Sequence, residues 1–172
     1  LKRNYENYIG NLSPKVNVRY SPNKSENLSD IDRKINITNI FSKNRLGLND
    51  SIEGGQSLTL GFDYDLKTID NNEFLGFSLA QIFRDTDDKR LPIKSKMQNK
   101  SSDVVGNFSF QPNNNFKFNY DFSLDNNLET INYSKIETKM KINNFITSFD
   151  FLEENNDIGS DSYLLSDVSY IF

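Results

Sequence analysis

The sequence predicts an all-β chain: an antiparallel, up-and-down transmembrane β-barrel segment of about nine strands, an incomplete barrel. Three observations predict it. Apolar and polar residues alternate with period two along most of the 172 residues, the mark of strands with one greasy face. Several alternating runs reach about nine to eleven residues, the length a tilted strand needs to cross hydrocarbon and more than an average soluble strand has. Aromatic residues also gather at strand ends beside alternate turns, as they do at a membrane interface.

Taken in chain order, Val16, Val18 and Tyr20 alternate with Lys15, Asn17 and Arg19 in a first strand. A weaker strand is expected around Ile35 to Phe41. From Ser57 to Asp65, Leu58, Leu60, Phe62 and Tyr64 are the apolar positions and polar or small residues lie between them. Leu75, Phe77, Leu79 and Phe83 form one face of a strand over 74–83, and Val104, Phe108 and Phe110 one face over 101–110. The purest run is Phe116 to Leu124, where Phe116, Phe118, Tyr120, Phe122 and Leu124 oppose Lys117, Asn119, Asp121 and Ser123. Between Leu128 and Met140 the phase changes: Ile131 and Tyr133 share one parity, Ile136, Met140 and Ile142 the other, and a bulge would reconcile them. Phe145, Thr147, Phe149 and Phe151 make a further face, as do Leu164, Val168, Tyr170 and Phe172. Helical spacing fits no useful length.

Connections are expected at Lys67 to Glu73, Arg84 to Lys100, Gln111 to Asn115, Asp125 to Asn127, Lys141 to Asn144 and Glu153 to Asp161. Each carries Asn, Asp or Gly turn chemistry, so a meander of hairpins follows. Tyr64 and Phe74 flank the first of these turns, Phe110 and Phe116 the third, and Phe145 follows the fifth.

Composition excludes more than it assigns. The mean hydropathy of -0.66 and the 25 asparagines suggest a polar or disordered chain. The 14 Phe and 8 Tyr contradict disorder, and an average is blind to alternation. With no Cys and no His there is no disulfide framework, thiolate site or imidazole chemistry. Lys and Arg are scattered singly in a chain of net charge -4, which argues against a nucleic-acid partner. No apolar run approaches the roughly eighteen residues of a spanning helix. Alternation by itself describes a soluble β-sandwich binding module equally well; strand length and the aromatic ends favour the barrel.

The polar motifs have plain readings. Asp85, Asp87 and Asp88 lack the glycine and distal glutamate of a calcium loop and sit beside Lys89 and Arg90. Gly54-Gly55 lacks the Lys-Ser/Thr of a phosphate loop and reads as a turn. Nothing converges on Glu153-Glu154 as an acid/base pair would require. No catalytic residue, metal site or cofactor is expected.

The stretch from Ile40 to Phe62, "IFSKNRLGLNDSIEGGQSLTLGF", resembles the C-terminal barrel domain of the LptD family of lipopolysaccharide-assembly outer-membrane proteins. Phe41, Asn44, Arg45, Gly47, Asp50, Glu53, Gly54, Leu58 and Gly61 fall on the family pattern, with Ser51 where the family usually carries an arginine that could pair with Glu53. A second block supports it: Leu91-Pro92, then Ser102-Asp103-Val104-Val105-Gly106, is similar to the family's loop and strand start. The opening Leu12 to Pro22 resembles the preceding strand. The resemblance implies that residues 1–172 are part of the barrel domain, an interior piece without signal peptide, periplasmic domain or final strands. It implies a bacterial outer-membrane translocon that inserts lipopolysaccharide into the outer leaflet and performs no covalent chemistry. The implied partners are lipopolysaccharide, an LptE-like lipoprotein plug, a periplasmic LptA-like bridge reached through the N-terminal domain, and outer-membrane lipids. The motif residues are expected to be structural, in the lumen or in loops, with Phe41 to Glu53 at or in the extracellular mouth. Another outer-membrane barrel, a porin or receptor, would share the alternation without the two blocks.

Overall fold

The computed structural model describes residues 1–47, 53–156 and 159–171. The alternating runs form one antiparallel sheet of nine strands in chain order: β1 (Lys2–Asn4), β2 (Tyr8–Ser21), β3 (Gly55–Thr68), β4 (Glu73–Arg84), β5 (Val104–Asn113), β6 (Phe116–Leu124), β7 (Ile131–Ile142), β8 (Phe145–Asn156) and β9 (Gly159–Tyr170). Each strand pairs with the next, although β1 covers β2 only over Ile9, Gly10 and Asn11. Among the described residues β1 and β9 are not paired to each other, and the sheet is an incomplete barrel.

Register follows the period-two pattern. Leu58 pairs with Phe83, Phe62 with Leu79 and Tyr64 with Phe77, which gathers the apolar positions of β3 and β4 on the outer face. Phe108 pairs with Tyr120 and Phe110 with Phe118, extending that face across β5 and β6. Many of these side chains stay exposed, among them Val16, Val18, Leu60, Phe149 and Val168. At the rim carrying the short turns, Tyr8, Phe74, Phe110 and Phe116 form a continuous aromatic line, with successive ring centroids 4.8, 5.4 and 6.3 Å apart. A bulge where Leu66 faces Leu75 but Lys67 faces Glu73 leaves Phe74 unpaired, free to join that line.

The phase change in β7 is resolved by a bulge, but differently from the grouping of Ile131 with Tyr133. Ser123 pairs with Tyr133 and Leu124 with Ile131, so Asn132 is the extra residue and its neighbours face opposite sides. Ile131 joins Ile136 and Met140 outside, and Tyr133 points inward. The weak strand expected over Ile35 to Phe41 is absent: this segment is coil and turns, and its isoleucines Ile35 and Ile40 are buried. The ninth strand is β1 instead. The loop expected over Glu153 to Asp161 is mostly strand, because β8 runs to Asn156 and β9 starts at Gly159; Phe172 lies outside the described residues.

Residues 69–72, 114–115 and 143–144 make short turns at one rim, with Asn71 and Asn143 at φ 63° and 53°, a conformation asparagine tolerates better than most residues. The described residues 22–47 and 53–54, with the long segment 85–103, leave the opposite rim and fold back onto the inner face. Gly61 shows how closely they pack: a Cβ there would lie 2.6 Å from the Leu79 carbonyl oxygen, 2.7 Å from the Ala80 Cβ and 2.9 Å from the Phe41 ring. Gly61→Leu is therefore expected to overpack the junction and cost about 1–3 kcal/mol, read as a lower thermal unfolding midpoint in detergent.

Candidate functional site on the capped inner face

The inner face is built from the polar half of the alternation, and at one point it holds a dense ionic knot. Arg19 of β2 pairs with Ser57 of β3, which pairs with Arg84 of β4, so three inward side chains stand in one row across the sheet. Glu53, just before β3, drops its carboxylate onto this row. Arg45 grips it bidentately, with Nε donating to Oε2 at 2.6 Å and Nη2 donating to Oε1. Arg84 Nη1 donates to the same Oε1, and Arg19 Nη1 donates to Oε2 at 3.0 Å.

The remaining guanidinium hydrogens mostly find neutral acceptors. Arg45 donates to the hydroxyls of Ser57 (3.1 Å) and Thr59 (3.3 Å), Arg84 to the Gly54 carbonyl (2.6 Å), and Arg19 to the Ser42 carbonyl (2.8 Å). Arg45, Arg84 and Glu53 are all buried, a placement tolerated only because each charge is paired. Burial pushes the Glu53 pKa up, but hydrogen bonding and attraction from Arg45, with the charges of Arg19 and Arg84, outweigh it and hold the group below its ordinary value.

Around this knot the two long segments make a cap with its own apolar core. Leu28, Ile35, Ile40 and Leu46 from one segment meet Leu91 and Met97 from the other over the inward Ala80, Ile82 and Val105 of the sheet. Polar contacts lock the segments together: Leu28 N donates to Arg90 O at 2.6 Å, Ser25 Oγ to Asp88 Oδ2 at 2.6 Å, and Ile35 N to Ser95 Oγ at 3.0 Å. The cap reaches as far as β8, where Glu154 Oε1 accepts from Lys34 (3.2 Å) and Lys94 (3.1 Å). Lys34 Nζ also lies 3.8 Å above the Tyr133 ring.

Between the cap and strands β6 to β8 lies a cavity of ≈ 200 Å³. Asp103 lines it, with Oδ2 accepting from Asn132 (2.9 Å) and Ser123 (3.1 Å), whereas its buried Oδ1 has no hydrogen-bond partner. Burial raises the Asp103 pKa against the opposing pull of those two hydrogen bonds.

The residues singled out in the sequence occupy three places. Arg45, Glu53 and Gly54 form the knot, with Phe41 stacked on Gly61 and Asn44 beside Arg45; a Cβ on Gly54 would meet the backbone of 23–25, 2.6 Å from Ser25 N. Gly47 has φ 65°, in the left-handed region that favours glycine. Leu91 and Pro92 are fully buried in the cap, and Ser102 binds Ile82 through both N and Oγ at 3.0 Å. Asp103 is at the cavity, and Gly106 is on β5, where a Cβ would collide with the Phe122 ring. Asp50 and Ser51 lie outside the described residues. The sequence reading missed Arg19 and Arg84. The available signal was their parity, since both are basic residues on the polar side of a strand end, next to Tyr20 and Phe83.

The family model for LptD, LPS transport system D, matches residues 1–169. The chain belongs to the LptD family. Membership of LptD connects it with lipopolysaccharide transport and assembly at the outer membrane. No curated protein matches the chain.

The Glu53 knot gives a signed expectation for this LptD chain. A carboxyl whose folded pKa is depressed contributes stability that is present above its unfolded value of about 4.3 and is lost as pH falls through the folded value. Glu53→Gln should cost about 3–5 kcal/mol at neutral pH, because three guanidiniums lose their anion. It should also remove part of the acid-induced loss below about pH 4, measured as unfolding midpoints across a pH series.

Proposed function

We propose that residues 1–172 form an interior part of an LptD-type outer-membrane barrel that passes lipopolysaccharide into the outer leaflet. The observation that carries the reading is the family match over 1–169. The physical arrangement supports it. The outer face is exposed and apolar, as hydrocarbon requires, and the antiparallel ladders from β2 to β9 satisfy the backbone groups between neighbouring strands. The free edges of β1 and β9 call for strands from the remainder of a barrel.

In this reading the aromatic rim with its short turns faces the periplasm, and the capped rim faces outside. The inner face, with Lys117, Asn119 and Asp121 among its polar residues, is wet. An LptE-like lipoprotein would plug the lumen, and an LptA-like bridge would deliver lipopolysaccharide through a periplasmic domain. The motif residues Phe41, Asn44, Arg45, Gly47, Glu53, Gly54, Leu91, Pro92, Ser102, Asp103 and Gly106 then serve to seat the cap and to start β5.

Depletion of the full-length protein should lower surface lipopolysaccharide; unchanged surface levels would refute the transport role. The membrane-facing assignment has its own test. Leu60→Arg, near the middle of β3 on the outer face, should cost about 2–4 kcal/mol in a bilayer, whereas Asn119→Arg on the inner face should change stability by less than about 1 kcal/mol. Equal costs would refute the lipid-facing assignment.

A further inference from the structure

The cap is held to the wall in two different ways. Over β4 and β5 it is seated by apolar side chains, and among the described residues that buried cluster takes Ala80, Ile82 and Val105 from the sheet but nothing from β6, β7 or β8. On the β8 side its tip is Asp32, Arg33 and Lys34, three charged residues between the partly buried Ile31 and the buried Ile35. Ion pairs hold this tip. Lys34 Nζ lies 3.2 Å from Glu154 Oε1, and Lys94 Nζ lies 2.8 Å from Asp32 Oδ1 and 3.1 Å from the same Glu154 oxygen. Lys94 stands on a fixed post: the neighbouring Ser95 accepts from Ile35 N at Oγ and from Asp103 N at its carbonyl oxygen, both at 3.0 Å.

The ionic bridge is also a partition. Lys34, Asn36, Lys94 and Glu154 line both the ≈ 200 Å³ cavity against β6 to β8 and a second cavity of ≈ 380 Å³ that extends along the cap to Arg45 and Gly47. With space on either side, the tip meets little steric resistance to displacement. The bridge itself is weak. The side chains of Lys34, Lys94 and Glu154 are 33%, 16% and 17% exposed, and ion pairs within reach of water contribute little and are screened by salt. The apolar seat over β4 and β5 does not depend on charge.

We propose that the Lys34–Glu154–Lys94 bridge is an ionic latch that separates the two cavities and releases the cap tip. When Lys34 leaves Glu154, residues 32–34 swing about their anchors at Ile31 and Ile35, and the two cavities join. Lys94 keeps Asp32 or Glu154 as a partner throughout, which lowers the cost of opening. The Tyr133 ring, 3.8 Å from Lys34 Nζ, favours the closed position. The latch follows from how the cap is packed and stands apart from what the barrel carries.

The test is a spin-label distance measurement on the full-length protein in detergent micelles, at about 0.02 M and about 0.5 M salt. One label is placed at Arg33→Cys on the tip and the other at Asn114→Cys in the β5–β6 turn; both positions are exposed, and residues 1–172 contain no cysteine of their own. A reference pair keeps Asn114→Cys and moves the first label to Glu26→Cys, an exposed position beside the buried Ser25 and Leu28. High salt should add a longer distance to the tip pair and raise the ratio of long to short at least about threefold, and Glu154→Gln should do the same at low salt. The reference pair should keep its distance in every case. The salt comparison needs no substitution at the bridge, so it decides if Glu154→Gln does not fold. A tip pair with one unchanged distance at both salt concentrations overturns the proposal. So does a folded Glu154→Gln protein that matches the unsubstituted one at low salt, or a reference pair that lengthens in step, since the cap would then leave the wall as a whole.

Discussion

A buried carboxylate organises the capped half of this structure. Glu53 is acceptable out of water only with guanidiniums around it, and the guanidiniums of Arg45 and Arg84 are acceptable there only because of Glu53. Each partner comes from a different part of the chain: Arg19 from β2, Arg84 from β4 and Arg45 from the long segment between β2 and β3. The knot therefore fixes several things together. It requires Arg19, Ser57 and Arg84 to stand in one row, and a slip of one residue in either pairing would send an arginine to the apolar outer face. It also requires residues 22–47 to turn back over the sheet, bringing Leu28, Ile35, Ile40 and Leu46 to the place where Ile82 and Val105 wait.

This explains an apolar core on a face that is otherwise polar. Inward positions on strands near the knot are Ala80, Ile82 and Val105, and those farther along the sheet are Asn119, Asp121 and Lys135. The inner surface thus changes character with what lies over it. Over Ala80, Ile82 and Val105 the cap packs apolar side chains against it; beyond the cap it keeps the hydrophilic residues suited to water.

The sheet was legible because it is governed by local alternation. Phe116 to Leu124 reads as a strand with the bounds it has in the structure, and β3, β4 and β5 differ from the expected spans by a few residues at their ends. The cap was not legible, because no period marks a segment whose conformation is dictated by what it packs against. Ile35, Ile37 and Phe41 alternate as a strand would, yet Ile35 is held by Ser95, sixty positions away in sequence, and Phe41 by the bare backbone at Gly61. Tyr133 illustrates the same limit on a smaller scale: parity shows that a bulge is needed, but only the pairing with Ser123 shows which side of Tyr133 it falls on. At the site, Arg45 and Glu53 were reached through the family pattern, while Arg19 and Arg84 needed the register between strands to show that they converge.

The span of the cap has a mechanical consequence. It is tied to β2, β3 and β4 through the knot, to β4 again through Ser102, to β6 and β7 through Asp103, and to β8 through Glu154. Strands bridged on their inner side cannot shear or splay past one another without breaking those ties, so the middle of the sheet behaves as a braced plate. β1, three residues long, and β9, exposed along its described side chains, have no such bracing. Any bending or opening of the wall is confined to these two margins, where only the neighbouring ladder resists it.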